Sequence, residues 1–250
     1  MTQERFSTVL SRILLALLFA VAVPTGLALA ASFQQQLDRA GIGYRVPAEG
    51  KAILVNIPAF ELIAFENGRP VLRSRVIVGT PWNRTPRVKT YVSAVRFRPT
   101  WRPTPSMIAS GEYRDRVWPP GERNPLGLAA VRLQPGLLVY LHDTNRRELF
   151  QENHRALSHG CIRVERWSEL VSFVLDMDLD EVLRLAHGRR TFDAPAPPIQ
   201  VELGYYTRFI DEAGRVVAYP DVYRLERNSG TDLSGGQETT RVCALDTGDR

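Results

Sequence analysis

The chain has 250 residues, 44% of them hydrophobic and 24% charged, with a formal net charge of +5. That balance belongs to a folded domain and excludes a mostly disordered chain. Of 32 basic side chains only Lys51 and Lys89 are lysines, and the arginines form no dense run. A nucleic-acid partner is therefore not expected, whereas guanidinium forks suit carboxylates and phosphates.

At the N-terminus Arg5 and Arg12 precede an apolar run from Ile13 to Val23, broken by Pro24 and Gly26. Ala28-Leu29-Ala30 follows, the small residues that a signal peptidase reads. Residues 1–31 are expected to be a secretory signal, cleaved after Ala30 or Ala31. The apolar run is shorter than the roughly 20 residues of a membrane span, and no span is expected after cleavage. Export to the periplasm or cell wall means an oxidising setting, where two cysteines often pair. Cys161 sits in a His-Gly-Cys run and Cys243 in a polar, Gly-rich tail. A free, reactive thiol is expected at Cys161 rather than a structural disulfide.

Residues 32–50 read as a linker, with a short helix over Ser32 to Ala40. Strands are expected over Ala52 to Ile57, Phe60 to Phe65 and Val71 to Val78, with Asn67-Gly68 as a two-residue hairpin turn. Tyr91 to Phe97 and Leu137 to Leu141 read as further strands. Residues 99–127, rich in Pro, Gly, Arg and Trp, are too long for a plain connection and suit a flap. Trp167, Leu170, Val171, Val174 and Leu175 repeat with helical spacing. Pro195, Pro197 and Pro198 mark a boundary, and Val201 to Ile210 with Arg215 to Tyr219 form a hairpin around Asp211 to Gly214. The polar residues 228–250 are expected to be a flexible tail. The fold class is mainly β with a few helices.

The chemistry concentrates in Leu141-His142-Asp143-Thr144 and Ser158-His159-Gly160-Cys161-Ile162-Arg163-Val164. An imidazole beside a thiol takes its proton and creates a nucleophilic thiolate. His142, at the end of an apolar strand, is the expected base for Cys161. Gly160 lets backbone approach a reacting carbonyl, with N–H groups around Gly160 and Cys161 as oxyanion donors. Arg163, two residues beyond the cysteine, suits a substrate carboxylate. Zinc held by His142, His159 and Cys161 is a weaker reading, because no second cysteine or carboxylate lies at ligand spacing. No metal or cofactor is expected, and His154 and His187 read as surface residues.

Ser-His-Gly-Cys-Ile-Arg, preceded by a strand ending in His142, resembles the signature of the YkuD-type L,D-transpeptidases. Asn56-Ile57-Pro58, Val78-Gly79-Thr80-Pro81, Thr85-Pro86, Pro99-Thr100-Trp101 and Asn124-Pro125-Leu126-Gly127 resemble other stretches of that family. Gly204-Tyr205-Tyr206-Thr207 and Asp221-Val222-Tyr223 resemble the C-terminal segment of its larger members. The resemblance implies a β-rich sandwich or barrel with a catalytic domain over 51–192, a flap over 99–127 and a C-terminal β segment over 193–227 packing on it. It implies a thioester on Cys161 formed from a peptidoglycan stem peptide, with D-alanine released and the acyl group passed to an amine. The acceptor is a second stem or a lipoprotein; with water instead, the enzyme is an L,D-carboxypeptidase or hydrolase. By the same resemblance His142 is the base, Ser158, His159 and Gly160 shape the catalytic turn, and Arg163, Ser158, Asp143 and Trp101 meet substrate. Asp143 stands where some members carry serine, which leaves open the group that orients the imidazole. A wall-binding module without activity is the remaining alternative.

Overall fold

The computed structural model describes residues 31–226; the expected signal segment, the polar tail and Cys243 lie outside the described residues. Ser32 opens the first helix, α1 (Phe33–Arg39), with a capping box in which the Gln35 N–H donates to the Ser32 hydroxyl and the Ser32 N–H to the Gln35 carboxamide. Its buried face is Phe33 and Leu37, four residues apart. The expected linker beyond it is packed structure. Ile42, Tyr44 and Val46 alternate into a small core shared with Phe33, Phe65 and Phe209, and the Val46 N–H donates to the Gln34 carboxamide at 2.8 Å.

Strands β1 (Lys51–Asn56), β2 (Glu61–Glu66) and β3 (Arg69–Gly79) form successive antiparallel hairpins. Asn67 and Gly68 adopt φ of 49° and 77°, the two positive values this two-residue turn needs. β1 reads as continuously apolar because both its faces are covered. Ile53 and Val55 enter the main core, Ala52 and Leu54 the small one. Burying each of the Ile, Leu and Val side chains contributes about 1.5–3 kcal/mol.

The remaining strands of the main sheet are β4 (Val88–Phe97), β5 (Ala129–Leu133), β6 (Tyr140–His142), β7 (Ala156–Ser158), β8 (Ile162–Val164), β9 (Phe192–Pro195) and β10 (Gln200–Gly204). The hydrogen-bonded order is β10-β1-β2-β3-β8-β6-β5-β4, and β10 also pairs with β4. The sheet therefore closes on itself around the main core, while β9 pairs only with β4 and β7 only with β3 among the described residues. The fold is mainly β, as the sequence indicates.

Three differences from the sequence reading have local causes. The strand expected over Leu137 to Leu141 is only Tyr140–His142, because the preceding turn at Gln134–Leu137 consumes the earlier residues. The proline-rich stretch after β9 leads back onto the same sheet. β9 and β10 both pair with β4, and Ile199 is buried in the main core. The strand expected over Val201 to Ile210 divides into β10 and β11 (Arg208–Ile210), which pairs with β12 (Val216–Ala218) across the expected hairpin. The division falls where buried Asn56 clamps Tyr206, accepting from its N–H and donating to its carbonyl, both at 3.0 Å. Finally, besides α2 (Pro105–Ala109) and the expected α3 (Trp167–Leu175), a further helix α4 (Leu179–Ala186) packs on α3 through Val182 and Ala186.

Candidate active site

β6 and β8 run parallel, with Leu141 opposite Ile162 and His142 opposite Arg163. Paired residues project from the same face of a sheet, so the imidazole and the guanidinium are neighbours. The Tyr140 N–H donates to Cys161 Sγ at 3.4 Å, which puts the sulfur at the entry of β6, two residues before His142. The adjacency arises because β3 holds both flanks of the cysteine turn. It pairs with β7 on one side of the turn and β8 on the other.

The turn itself is tied by its serine. Ser158 Oγ donates to the Cys161 carbonyl at 2.6 Å and accepts from the Gly160 N–H at 3.0 Å. Gly160 has φ 108°, a conformation that residues with a Cβ avoid. Ser158 is thus buried inside the turn that it shapes and does not face outward. The Gly160 N–H, expected as an oxyanion donor, is spent on that hydroxyl.

His142 is buried, and its Nδ1 lies 2.5 Å from the Asp143 carbonyl. A carbonyl only accepts, so Nδ1 carries the hydrogen and the imidazole is oriented by backbone. Burial pushes its pKa down to about 3, reinforced by the Arg163 charge and partly opposed by the Asp143 and Leu126 carbonyls. The ring is neutral at pH 7, the form that accepts a proton.

The Asp143 carboxylate faces elsewhere. It accepts from the Leu128 N–H and from Arg147, each at 2.9 Å, and desolvation raises its pKa. This side chain, expected to meet substrate, is instead a buried tie between β5 and the strand end. Trp101, expected to meet substrate as well, is only 4% exposed. It makes a two-bond bridge with Trp118 and packs edge-on against Tyr113 at 4.8 Å. The base of segment 99–127 is gathered by Asn124, whose amide donates to the carbonyls of Pro99, Trp118 and Pro119.

From this segment Glu112 reaches the turn, with its carboxylate 3.0 Å from His159 Nε2. His159 thus faces the segment, while His142 faces Arg163. Arg163 is largely buried and its pKa is lowered, chiefly by desolvation, with Tyr113 and Glu112 opposing. Among the described residues it makes no salt bridge. Also among the described residues, no group of three His, Cys, Asp or Glu side chains is placed to hold a metal.

The sulfur corrects one expectation. Cys161 is buried and disulfide-bonded, not a free thiol. The sequence contains one other cysteine, Cys243, which lies outside the described residues. Glu112 had no individual sequence signal, since its contact with His159 is made only on folding.

Residues 50–192 match the family model of the L,D-transpeptidase catalytic domain, YkuD, and the chain belongs to that family. It is 29% identical over 224 residues to a candidate L,D-transpeptidase of Haemophilus influenzae, covering 73% of this chain and 46% of that protein. It is 31% identical over 146 residues to YbiS, a candidate L,D-transpeptidase of Escherichia coli K12, covering 57% and 37%. The chain thus spans less than half the length of these curated relatives. Among solved structures, an L,D-transpeptidase from Mycobacterium smegmatis aligns with TM-score 0.41 at 16% identity, covering 62% of this chain and 58% of the other.

Proposed function

We propose that the chain is an exported L,D-transpeptidase acting on peptidoglycan stem peptides, with Cys161 as nucleophile and His142 as proton acceptor. The observation that carries the reading is Arg163, a largely buried guanidinium without a salt bridge among the described residues, beside His142 and the cysteine turn. A desolvated cation of this kind favours an anionic ligand, and a stem peptide carries carboxylates.

The disulfide imposes an order of events. A dithiol reductant first exchanges with the bond, leaving as its own disulfide and returning Cys161 to the thiol form. The neutral imidazole then accepts the thiol proton. Although burial disfavours imidazolium, an adjacent thiolate favours it. The thiolate attacks the carbonyl at the L-centre of the diamino acid. A C–S bond forms, the C–N bond to D-alanine breaks, and the departing amine takes the proton from His142. An acceptor amine reverses the sequence by attacking the thioester, and Cys161 leaves as thiolate.

Segment 99–127 acts as the flap that keeps water from that thioester. Incubating the reduced enzyme with purified tetrapeptide stems, and weighing the products, tests the reading. A dimer lacking one D-alanine is the expected product. A tripeptide would mean that water is the acceptor, and absence of turnover after complete reduction would contradict the proposal.

A further inference from the structure

The family match ends at residue 192, yet Tyr223 beyond it is linked to the cysteine turn by way of Thr85, through two buried hydroxyls. Tyr223 is 2% exposed and Thr85 1%. The Tyr223 hydroxyl donates to the Gly79 carbonyl at 2.7 Å and accepts from the Thr85 N–H at 3.1 Å. The Thr85 hydroxyl accepts from the Gly79 N–H at 2.9 Å and donates to the Gly160 carbonyl at 2.8 Å. Each hydroxyl therefore gives one hydrogen and accepts one, and none of the four backbone groups they meet is left unpaired.

The contact surface permits no slack. A Cβ on Gly79 would lie 2.0 Å from the Asn83 carbonyl oxygen, 2.7 Å from the Thr85 nitrogen and 2.8 Å from the Gly160 Cα. The backbones of three segments thus meet at van der Waals distance directly behind the residue preceding Cys161. Tyr223 is held in its turn. Its ring stacks on Tyr205 with centroids 5.6 Å apart, and its N–H donates to the Tyr205 hydroxyl at 2.7 Å. Tyr205 donates to Asp221 at 2.5 Å, while the Arg84 guanidinium lies 5.6 Å from the Tyr223 ring.

We infer that Thr85 and Tyr223 are positioning residues for the acyl transfer proposed above: the C-terminal segment fixes the Gly160 carbonyl, and with it the attack geometry of Cys161, through this hydroxyl relay. Neither hydroxyl meets substrate. A displacement of the reacting sulfur by about 1 Å is enough to lower turnover by as much as 100-fold without weakening binding. Turnover and binding should therefore separate when the relay is cut. The inference rests on the proposed function for its turnover arm only.

The test uses the reduced full-length chain with Tyr223→Phe, Thr85→Val and Thr85→Ser. Near-UV circular dichroism establishes folding, tetrapeptide kinetics give kcat and KM, and peptide mapping gives the iodoacetamide rate at Cys161 across pH. Tyr223→Phe and Thr85→Val should lower kcat by about 10- to 100-fold with KM within about twofold, and change the alkylation profile. Thr85→Ser, which keeps the hydroxyl, should restore both. Folded variants with wild-type kcat and alkylation would overturn the relay, as would equal defects in Thr85→Ser and Thr85→Val. Should Tyr223→Phe not fold, the Thr85 pair decides. If the wild type fails to turn over the stem peptide, the proposed function falls, and the alkylation arm still judges the relay.

Discussion

The cysteine turn and segment 99–127 meet at one side-chain contact, Glu112 with His159, but are built by different means. The turn is fixed by buried hydroxyls and by two flanking strands on β3. The segment is gathered at its base by Asn124 and an aromatic trio of Trp101, Tyr113 and Trp118. It meets the turn through Glu112 and His159, whose side chains are 45% and 27% exposed. Buried, fully paired polar groups resist displacement, whereas an exposed ion pair contributes only about 0–1 kcal/mol. In the proposed reaction the chemistry thus falls on the stiff side of the site, and access to it on the compliant side.

The largest expected effect is on the stiff side. Cys161→Ala should lose all stem-peptide turnover and any covalent adduct with a carbapenem, read by intact-protein mass; retained turnover would remove the nucleophile from the account.

The next effect is on stability. His142 resists protonation in the folded state down to about pH 3, whereas an unfolded imidazole takes its proton near 6.5. Its neutral burial is therefore fully accommodated above about pH 6.5 and becomes destabilising as pH falls from there towards 3. The slope is at most about 1.4 kcal/mol per pH unit. Denaturant unfolding of wild type and His142→Gln across that window should show the variant losing less stability on acidification. Parallel curves would mean that the imidazole is not held neutral.

Arg163→Gln should lower kcat/KM for the stem peptide by about 10- to 100-fold, mostly through KM. That is the loss of a charge-assisted contact worth about 1.5–3 kcal/mol. An unchanged KM would leave the guanidinium without its assigned ligand. On the compliant side, Glu112→Gln should change kcat/KM only about threefold or less, consistent with an exposed pair. It should also raise the share of hydrolysed product as the flap loosens. A loss as large as that from Arg163→Gln would erase the contrast between the two sides.

Sequence made the local elements legible and left the long-range ties obscure. Asn67-Gly68 and the Trp167 to Leu175 repeat encode their structures in neighbouring residues, and both form as expected. The His142 and Arg163 pairing is different in kind, being a register between distant strands, although the signature motif pointed to those residues. Ile42, Tyr44 and Val46 have the alternation of a packed segment, masked by Gly41, Gly43 and the following Pro47. Leu179, Val182, Leu183 and Ala186 carry helical spacing, but one short helix of charged composition is a faint pattern beside α3. The burial of Asp143 and Trp101 was not legible, because their contacts with the Leu128 N–H and with Tyr113 are made only on folding. The state of the Cys161 sulfur was the least legible feature, since it depends on redox conditions and not on the neighbouring residues alone.

The most direct measurement follows that sulfur. Oxidised and dithiol-reduced protein are each mixed with a stem tetrapeptide, quenched in acid and weighed intact. The account predicts a thioester on Cys161 with stoichiometric D-alanine release in the reduced sample alone. Equal D-alanine release from both samples, with the disulfide still intact in one, would contradict it.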